Sequence, residues 1–206
     1  MIEHIARFLG KLVMRPFWWG LRLAGWRVEG QLPDIDKYVV IGAPHTSNWD
    51  YFIFLGLVAY FGVRPLLAAK SEIMRGPIGW FIRLFGGFGV DRHAPHNVVQ
   101  QLIGEIQRRK RVIFVLSPEG TRKRTEYWRS GFYHVALGAK IPLMMGAINW
   151  QEKVVYLSEP FMLTGDSEVD MAHIRAFYEG RSVGKFPENF GPIRLREHIQ
   201  TSTEEK

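Results

Sequence analysis

The sequence contains no cysteine. A disulfide framework, a thiolate zinc site and a thiol nucleophile are therefore excluded, and the absence of cysteine agrees with a reducing compartment. The 206 residues also show no internal repeat, low-complexity block or linker rich in Gly, Ser or Pro. Because single domains commonly reach roughly 200 residues, we expect one catalytic domain with a terminal appendage.

Long apolar runs are also missing. The longest uncharged apolar run, Tyr51 to Val63, covers only about 20 Å as a helix, whereas the hydrocarbon core of a bilayer is roughly 30 Å thick. Basic residues interrupt the apolar residues near the N-terminus, which argues against a signal peptide. We therefore expect no membrane-spanning segment and a peripheral location on the cytoplasmic face of the cell membrane.

Acidic residues are fewer than basic ones, since 20 Asp and Glu against 27 Lys and Arg give a net charge of +7. Such an excess favours an anionic partner, which could be a nucleic acid, a phospholipid headgroup or a phosphorylated carrier. Charge alone does not choose among these three.

The first 27 residues combine apolar side chains at helical spacing with several tryptophans and arginines. This composition is typical of an amphipathic helix that lies in the headgroup region of a membrane. The same pattern also suits an ordinary helix packed on the core. We predict a membrane-associating segment over residues 1–27 and a catalytic domain over residues 28–206.

The rest of the chain alternates between apolar strand-like runs and helix-like segments, which predicts an α/β fold. Strands separated by helices of about ten residues imply a mixed, largely parallel sheet flanked by helices. Ligands of such sheets bind at the carboxyl ends of the strands. The predicted strands are Tyr38 to Gly42, Pro65 to Ala69, Val112 to Leu116 and Ile141 to Ile148. The predicted helices are Tyr51 to Phe61, Ile78 to Phe85, Val98 to Arg108 and Phe132 to Ala139, and the first of them is expected to be buried.

A polar segment, His45 to Asp50, follows the first of these strands. A turn of this length can return the carboxylate to one imidazole nitrogen, which fixes the tautomer and leaves the other nitrogen as a proton acceptor. The pair is part of a hydrolase triad without its nucleophile, so a substrate hydroxyl can take the nucleophile's place. Considered alone, the pair also suits a structural histidine.

Two further clusters follow apolar segments. The run from Ser117 to Arg124 combines glycine, hydroxyls and cations, which can hold a phosphate, although a solvated basic loop has the same composition. The run from Gly86 to Arg92 supplies three glycines and an arginine for an anion, although a glycine helix cap followed by a short strand is the simpler reading. We expect no metal site, because no cysteine or acidic cluster completes a coordination set around His93 and His96.

Taken together and in order, four blocks resemble those of the glycerolipid acyltransferase family, which includes bacterial 1-acyl-sn-glycerol-3-phosphate acyltransferases. The blocks are His45-x4-Asp50, Gly87-Phe-Gly-Val-Asp-Arg92, Pro118-Glu-Gly-Thr-Arg122 and Ile141-Pro142-Leu143-Met144. The resemblance covers roughly residues 38–150. Gly89 departs from it, since a bulkier residue is more usual there.

The resemblance implies a role for each matching position. His45 is the expected general base and Asp50 its orienting carboxylate. Binding of the acceptor is implied for Lys70, Asp91, Arg92, Glu119, Gly120, Thr121 and Arg122. Ile141 and Pro142 match a block linked to the acyl-donor side.

The activity implied by the resemblance is transfer of a fatty acyl group from acyl-CoA or acyl carrier protein to the free hydroxyl of 1-acyl-sn-glycerol-3-phosphate, giving phosphatidic acid. No cofactor is expected. The expected partners are a membrane surface with anionic lipids, the lysolipid and the acyl carrier, but not nucleic acid. Three alternatives stay open: an acyltransferase for another lysolipid such as a lyso-aminoacyl lipid, a thioester hydrolase, and a non-enzymatic module that binds nucleic acid or membrane.

Overall fold

The computed structural model describes residues 15–70, 74, 79, 87–90 and 95–196, without the side chains of residues 69, 70 and 95–97. Residues 15–23 are helical and are called α1. The other elements, in chain order, are β1 (Arg27–Glu29), β2 (Lys37–Ala43), α2 (Trp49–Phe61), β3 (Leu67–Lys70), β4 (Gly87–Val90), α3 (Pro95–Arg108), β5 (Val112–Leu116), α4 (Gly131–Ala139), β6 (Leu143–Asn149), β7 (Val154–Leu157), α5 (Ser167–Tyr178) and a short 3-10 helix (Pro187–Asn189).

Five strands form one sheet in the order β1-β7-β6-β2-β5. All neighbouring pairs are parallel except β6 and β7, which confirms the predicted mixed, largely parallel sheet. Strand β2 lies between β6 and β5 and carries a nearly continuous buried run, as expected for a strand covered on both faces. A parallel bridge between Leu66 and Phe114 joins the β5 edge to the chain entering β3, which pairs in parallel with β4.

Helices cover both faces of this sheet. Alternate residues of β2 point to opposite faces, so Val39 and Ile41 join the main core, whereas Tyr38 and Val40 pack on the other side. The main core also contains side chains from α3, α4 and α5. On the opposite face, Ile53 of α2 packs with residues before β1 and within β7. The layers are therefore helix, sheet and helix.

Helix α1 packs against α2. Gly56 of α2 lies directly against Leu21, so that a side chain at position 56 would collide with it. Aromatic contacts continue the same interface, with 4.3 Å between the ring centroids of Trp18 and Tyr60. Outside this interface, the side chains of Trp19 and Leu23 are exposed. Among the described helices, none is both long and apolar enough to cross a bilayer.

The prediction that residues 51–61 form a buried helix is only half right. The helix is present, but Tyr51 is 54% exposed and Phe52 43%, while Ile53 is 1% exposed. The apolar run is thus an outer helix with one buried side, and its aromatic residues reach the surface. Periodicity does not reveal this, because α2 is apolar on all sides.

Other differences concern short elements and boundaries. The three-residue β1 and four-residue β7 were not predicted, and β1 begins at Arg27, one residue before the predicted start of the catalytic domain. Strand β6 begins at Leu143 rather than Ile141, and the carbonyl of Pro142 accepts from the Val39 N–H at 2.9 Å. The predicted helix over residues 78–85 lies outside the described residues, apart from position 79.

Candidate active site

Three loops meet at the edge of the sheet that is formed by the carboxyl ends of their strands. Strand β2 pairs in parallel with both β5 and β6, with Ile41 opposite Leu116 and Ala43 opposite Ala147. The chain therefore leaves all three strands at the same edge, where ligands of parallel sheets usually bind. We call residues 45–50, which follow β2, the base turn, and residues 117–122, which follow β5, the cation turn.

The base turn brings His45 and Asp50 together. The Nδ1 atom of His45 lies 3.2 Å from Oδ2 of Asp50. The same oxygen accepts hydrogen bonds from the backbone N–H groups of Thr46 and Ser47, each at 2.9 Å. Since the buried carboxylate is an acceptor, Nδ1 carries the proton and Nε2 is left as a proton acceptor. The predicted contact between imidazole and carboxylate is confirmed.

Asp50 has a second partner, which sequence reasoning missed. Its other oxygen, Oδ1, accepts a hydrogen bond of 2.8 Å from the indole Nε1 of Trp150, the residue that follows β6. The two residues are 100 positions apart. No local sequence pattern predicts such a bond, because the parallel pairing of β2 with β6 is what brings Trp150 to this edge.

Glu119 connects the two turns. Its Oε2 accepts from the backbone N–H of His45 at 2.6 Å and from the Ser117 hydroxyl at 3.2 Å. The side chain is only 4% exposed, and Oε1 has no hydrogen-bond partner among the described residues. Burial raises the pKa of Glu119 to about 7, although the two hydrogen bonds oppose this rise. Glu119 therefore holds the backbone of His45 in place, whereas the prediction was a contact with the acceptor.

The rest of the cation turn faces a polar cavity. His45, Gly120, Thr121 and Arg122 line this cavity of about 420 Å³. Arg122 is exposed, and within the described part of the chain its side chain makes no hydrogen bond or ion pair. Its guanidinium is thus available to an anion in a cavity that the imidazole also reaches. The predicted proximity of these four residues is confirmed.

The backbone conformation at position 120 and the close approach of Arg129 both favour glycine. Its φ of +64° lies in the left-handed region, which side chains other than glycine rarely adopt. A Cβ at this position would lie 2.5 Å from Nε of Arg129, whose side chain packs across the glycine. The glycine therefore allows a second arginine to approach the cation turn.

An apolar cavity of about 550 Å³ lies on the other side of the base turn, between α1, α2 and Trp150. Phe17, Leu21, Trp49 and Ile53 contribute to its walls. Trp150 borders this cavity and also bonds Asp50, so the apolar space reaches the base turn.

Residues 183–186 pack against the outer side of the base turn. The N–H of Phe186 donates to the Thr46 hydroxyl at 3.3 Å, and Gly184 packs so closely on Thr46 that a Cβ would lie 2.7 Å from its side chain. Val183 accepts from the backbone N–H of Trp150 at 2.9 Å. A distant segment thus holds two parts of the site.

Two other predicted site residues, Ile141 and Pro142, are not brought to the two turns. Ile141 and Pro142 lie beside Val39, at the amino end of β6, roughly 13 Å along the strand from Ala43 at about 3.3 Å per residue. Ile141 is buried in the main core, and its predicted link to the acyl-donor side stays a prediction. Lys70 is the last residue of β3, but its side chain is not described. Asp91 and Arg92 lie outside the described residues and follow the end of β4.

Comparison with known proteins identifies the family of this chain. The family model described as Acyltransferase matches residues 26–149. A 1-acyl-sn-glycerol-3-phosphate acyltransferase of Streptococcus pneumoniae is 28% identical over 118 residues, which is 55% of this chain and 42% of the relative. An enzyme of the same name from Saccharomyces cerevisiae is 31% identical over 127 residues, which is 57% of this chain and 41% of the relative. The chain thus matches about two fifths of the length of these curated relatives.

The fold has a solved counterpart. The crystal structure of the 1-acyl-sn-glycerophosphate (LPA) acyltransferase PlsC from Thermotoga maritima superposes with a TM-score of 0.62 at 17% identity, covering 87% of this chain and 81% of that one. At this identity the likeness shows the fold alone. Because the family model spans more than half of the residues and includes both turns, the chain belongs to the acyltransferase family.

Proposed function

We propose that this chain transfers a fatty acyl group from a thioester carrier to the free hydroxyl of 1-acyl-sn-glycerol-3-phosphate. One observation carries the proposal: a buried carboxylate orients His45 at the wall of a cavity that is also lined by Arg122, whose side chain has no partner among the described residues. The names of the two curated relatives support the acyl acceptor. The donor is acyl-CoA or acyl carrier protein.

His45 acts as the general base in this reaction. Its Nε2 takes the proton of the acceptor hydroxyl while the hydroxyl oxygen attacks the thioester carbonyl. The new C–O bond forms as the C–S bond breaks, and the proton passes from His45 to the departing thiolate. Asp50 stabilises the imidazolium formed on the way and keeps the ring in place. No nucleophile of the protein is needed, because a thioester is already activated.

The acceptor's phosphate binds the cation turn. Arg122 can make a bidentate contact with an anionic head group, and the backbone of Gly120 and Thr121 lies beside it. Lys70, Asp91 and Arg92 stay in the proposal as further acceptor contacts on the strength of the family resemblance. Glu119 has a different part, because its bond to the His45 backbone N–H fixes the path of the base turn.

A substrate acyl chain occupies the apolar cavity beside α1 and α2. The cavity has room for a large part of such a chain, and its walls are mainly aromatic and aliphatic. Its border with Trp150 leads directly to the base turn.

The N-terminal segment, with the described helix α1, associates with a membrane surface that contains anionic lipids. Trp19 and Leu23 are 63% and 87% exposed, and Arg15 and Arg22 lie on the same helix. Tryptophan, leucine and arginine together favour the interface between lipid headgroups and acyl chains. We place the protein on the cytoplasmic face of the membrane.

An assay with a lysolipid panel tests the proposed reaction. The purified full chain is given labelled acyl-CoA or acyl carrier protein with lysophosphatidate, a lyso-aminoacyl lipid, lysophosphatidylcholine or no acceptor. We expect labelled phosphatidic acid as the main product. Product from another lysolipid alone would move the assignment to that acceptor, and thiol release without any acceptor would make the protein a thioester hydrolase.

Vesicle binding tests the membrane proposal. Replacing Trp19 and Leu23 together with alanine removes two exposed apolar groups from α1, so co-sedimentation with anionic vesicles should fall several-fold. The matched control replaces Met162 and Val169, which are each 56% exposed and lie outside α1. Equal vesicle binding by both double variants would show that α1 does not dock on lipid.

A further inference from the structure

We propose that Trp150 is a positioning residue for the proposed general base, because its indole N–H fixes the rotation of the Asp50 carboxylate. This inference rests on the proposed function, but it adds a residue that lies one position beyond the family match. The contact is direct, since Nε1 of Trp150 lies 2.8 Å from Oδ1 of Asp50. The bond is partly buried, so water competes little for either atom.

The two oxygens of Asp50 have different partners. Oδ2 accepts from His45 and from the N–H groups of Thr46 and Ser47, whereas Oδ1 accepts only from Trp150 among the described residues. Without the indole, one half of a buried carboxylate has no donor. The carboxylate could then turn about its Cβ–Cγ bond, and Oδ2 would lose its fixed distance from Nδ1. The indole thus sets the direction in which the imidazole is held.

The backbone of Trp150 is anchored separately. Its N–H donates to the carbonyl of Val183 at 2.9 Å, and Val183 in turn donates to the carbonyl of Ile148 at 3.0 Å. This pairing extends the end of β6 with a strand-like bridge between Asn149 and Val183. The backbone that carries the indole is therefore fixed to the sheet and is not part of a free loop.

The ring is also fixed on its faces and edges. The Lys185 ammonium lies 4.8 Å from the centroid of the Trp150 ring, and Trp26 meets that ring at 89° with 5.1 Å between centroids. A cation over the ring withdraws electron density from the indole, which makes its N–H a better donor to a carboxylate. Both contacts keep the N–H aimed at Asp50. An indole needed only for packing would not require this alignment.

Kinetics of a matched pair of variants test the role. Trp150→Phe keeps an aromatic ring but removes the donor, and we expect kcat for lysophosphatidate acylation to fall about tenfold while the acceptor KM stays within twofold. Trp128→Phe is the control, because Trp128 is 2% exposed and its indole N–H has no partner among the described residues. This control should lose thermal stability at least as much and keep kcat within twofold.

Proton–nitrogen NMR of the indole groups tests the contact without any turnover. The Trp150 resonance, assigned by its loss in Trp150→Phe, should lie downfield of the Trp128 resonance. In Asp50→Asn it should move clearly while the Trp128 resonance stays in place. If Trp150→Phe does not fold, the resonance is assigned from wild-type backbone connectivities, and Asp50→Asn alone decides.

The outcomes separate this inference from the proposed function. If the wild type is active and Trp150→Phe and Trp128→Phe lower kcat by the same factor, the positioning role is overturned. A Trp150 resonance that does not shift in Asp50→Asn would overturn it as well. A wild type inactive toward every lysolipid would overturn the proposed reaction instead. In that case, a resonance that follows Asp50→Asn would still support the contact between indole and carboxylate.

Discussion

The base turn and the cation turn meet at the same edge of the sheet, but they differ in how far their polar atoms are already bonded. In the base turn, Asp50 uses both oxygens on partners within the protein. In the cation turn, the side chain of Arg122 has no such partner within the described residues. The first turn is fixed before any ligand arrives, whereas Arg122 of the second turn has donors that no described residue uses.

This difference separates chemistry from recognition. A general base needs a fixed direction and a fixed tautomer, which internal bonds provide. An anion-binding arginine gains most when the substrate, rather than a neighbouring carboxylate, completes its bonding. Changes in the base turn should therefore act on kcat, and changes at the outer part of the cation turn should act on KM.

The largest effect is expected for His45→Ala. Loss of the base should lower kcat by about 1,000-fold, within the range typical of general acid–base catalysis. The thermal midpoint should change little, because the imidazole is one third exposed and only its ring nitrogen contacts Asp50. A variant that kept wild-type turnover in the lysophosphatidate assay would remove the base turn from the chemistry.

Asp50→Asn is expected to have the next largest effect. The amide cannot serve His45, the two backbone N–H groups and the indole equally, because one of its two heteroatoms is now a donor. We expect kcat to fall about 100-fold with the acceptor KM nearly unchanged, as steady-state kinetics will show. A change confined to KM would contradict an orienting role.

Arg122→Met tests the cation turn. Loss of the guanidinium should raise the KM for lysophosphatidate about tenfold and leave kcat within a few-fold. The matched control is Lys123→Met, which removes an exposed cation outside the polar cavity. If the two variants raised KM equally, general charge rather than a defined contact would explain binding.

Glu119→Gln tests the link between the turns through pH, with the thermal midpoint rather than turnover as the measurement. Because burial raises the pKa of Glu119 from 4.5 to about 7, its protonated form stabilises the fold most fully below pH 4.5, and this contribution is lost as pH rises to 7. The loss is on the order of 3 kcal/mol. The Gln variant keeps the acceptor oxygen without the charge, so its thermal midpoint should fall several degrees less than that of wild type between pH 4.5 and 8.

A control variant isolates the effect of that one group. Glu159→Gln removes an exposed carboxyl group and should keep the wild-type pH dependence of the thermal midpoint. Parallel curves for wild type and Glu119→Gln would show that folding does not raise the pKa of Glu119.

The sequence predicted most of what depends on local pattern. Strand β5 matches its predicted bounds, and the parallel sheet followed from the alternation of strands and helices. The contact of His45 with Asp50 was also predicted, because a single turn can bring together two residues that are five positions apart. These features depend on neighbours in the chain, and such neighbours are visible in the sequence.

Features set by distant parts of the chain were missed. The bond from Trp150 to Asp50 depends on how β6 lies beside β2, and the buried position of Glu119 depends on β5 lying on the other side. The position of Ile141 and Pro142 was not visible in the sequence either, because the direction of the strand puts them at the amino end of β6, away from the two turns. Apolar composition made α2 look buried, because composition does not reveal which side faces the solvent.

The position of residues 183–186 along the chain has a consequence for synthesis. A growing polypeptide that already contains the whole family match still lacks Trp150, the Val183 pairing and the bond from Phe186 to Thr46. Such long-range contacts form late, once the last participating residues are available. An unfinished chain on the ribosome therefore carries both sequence motifs without the indole bond to Asp50. Full orientation of the proposed base has to wait until residues 183–186 have been made.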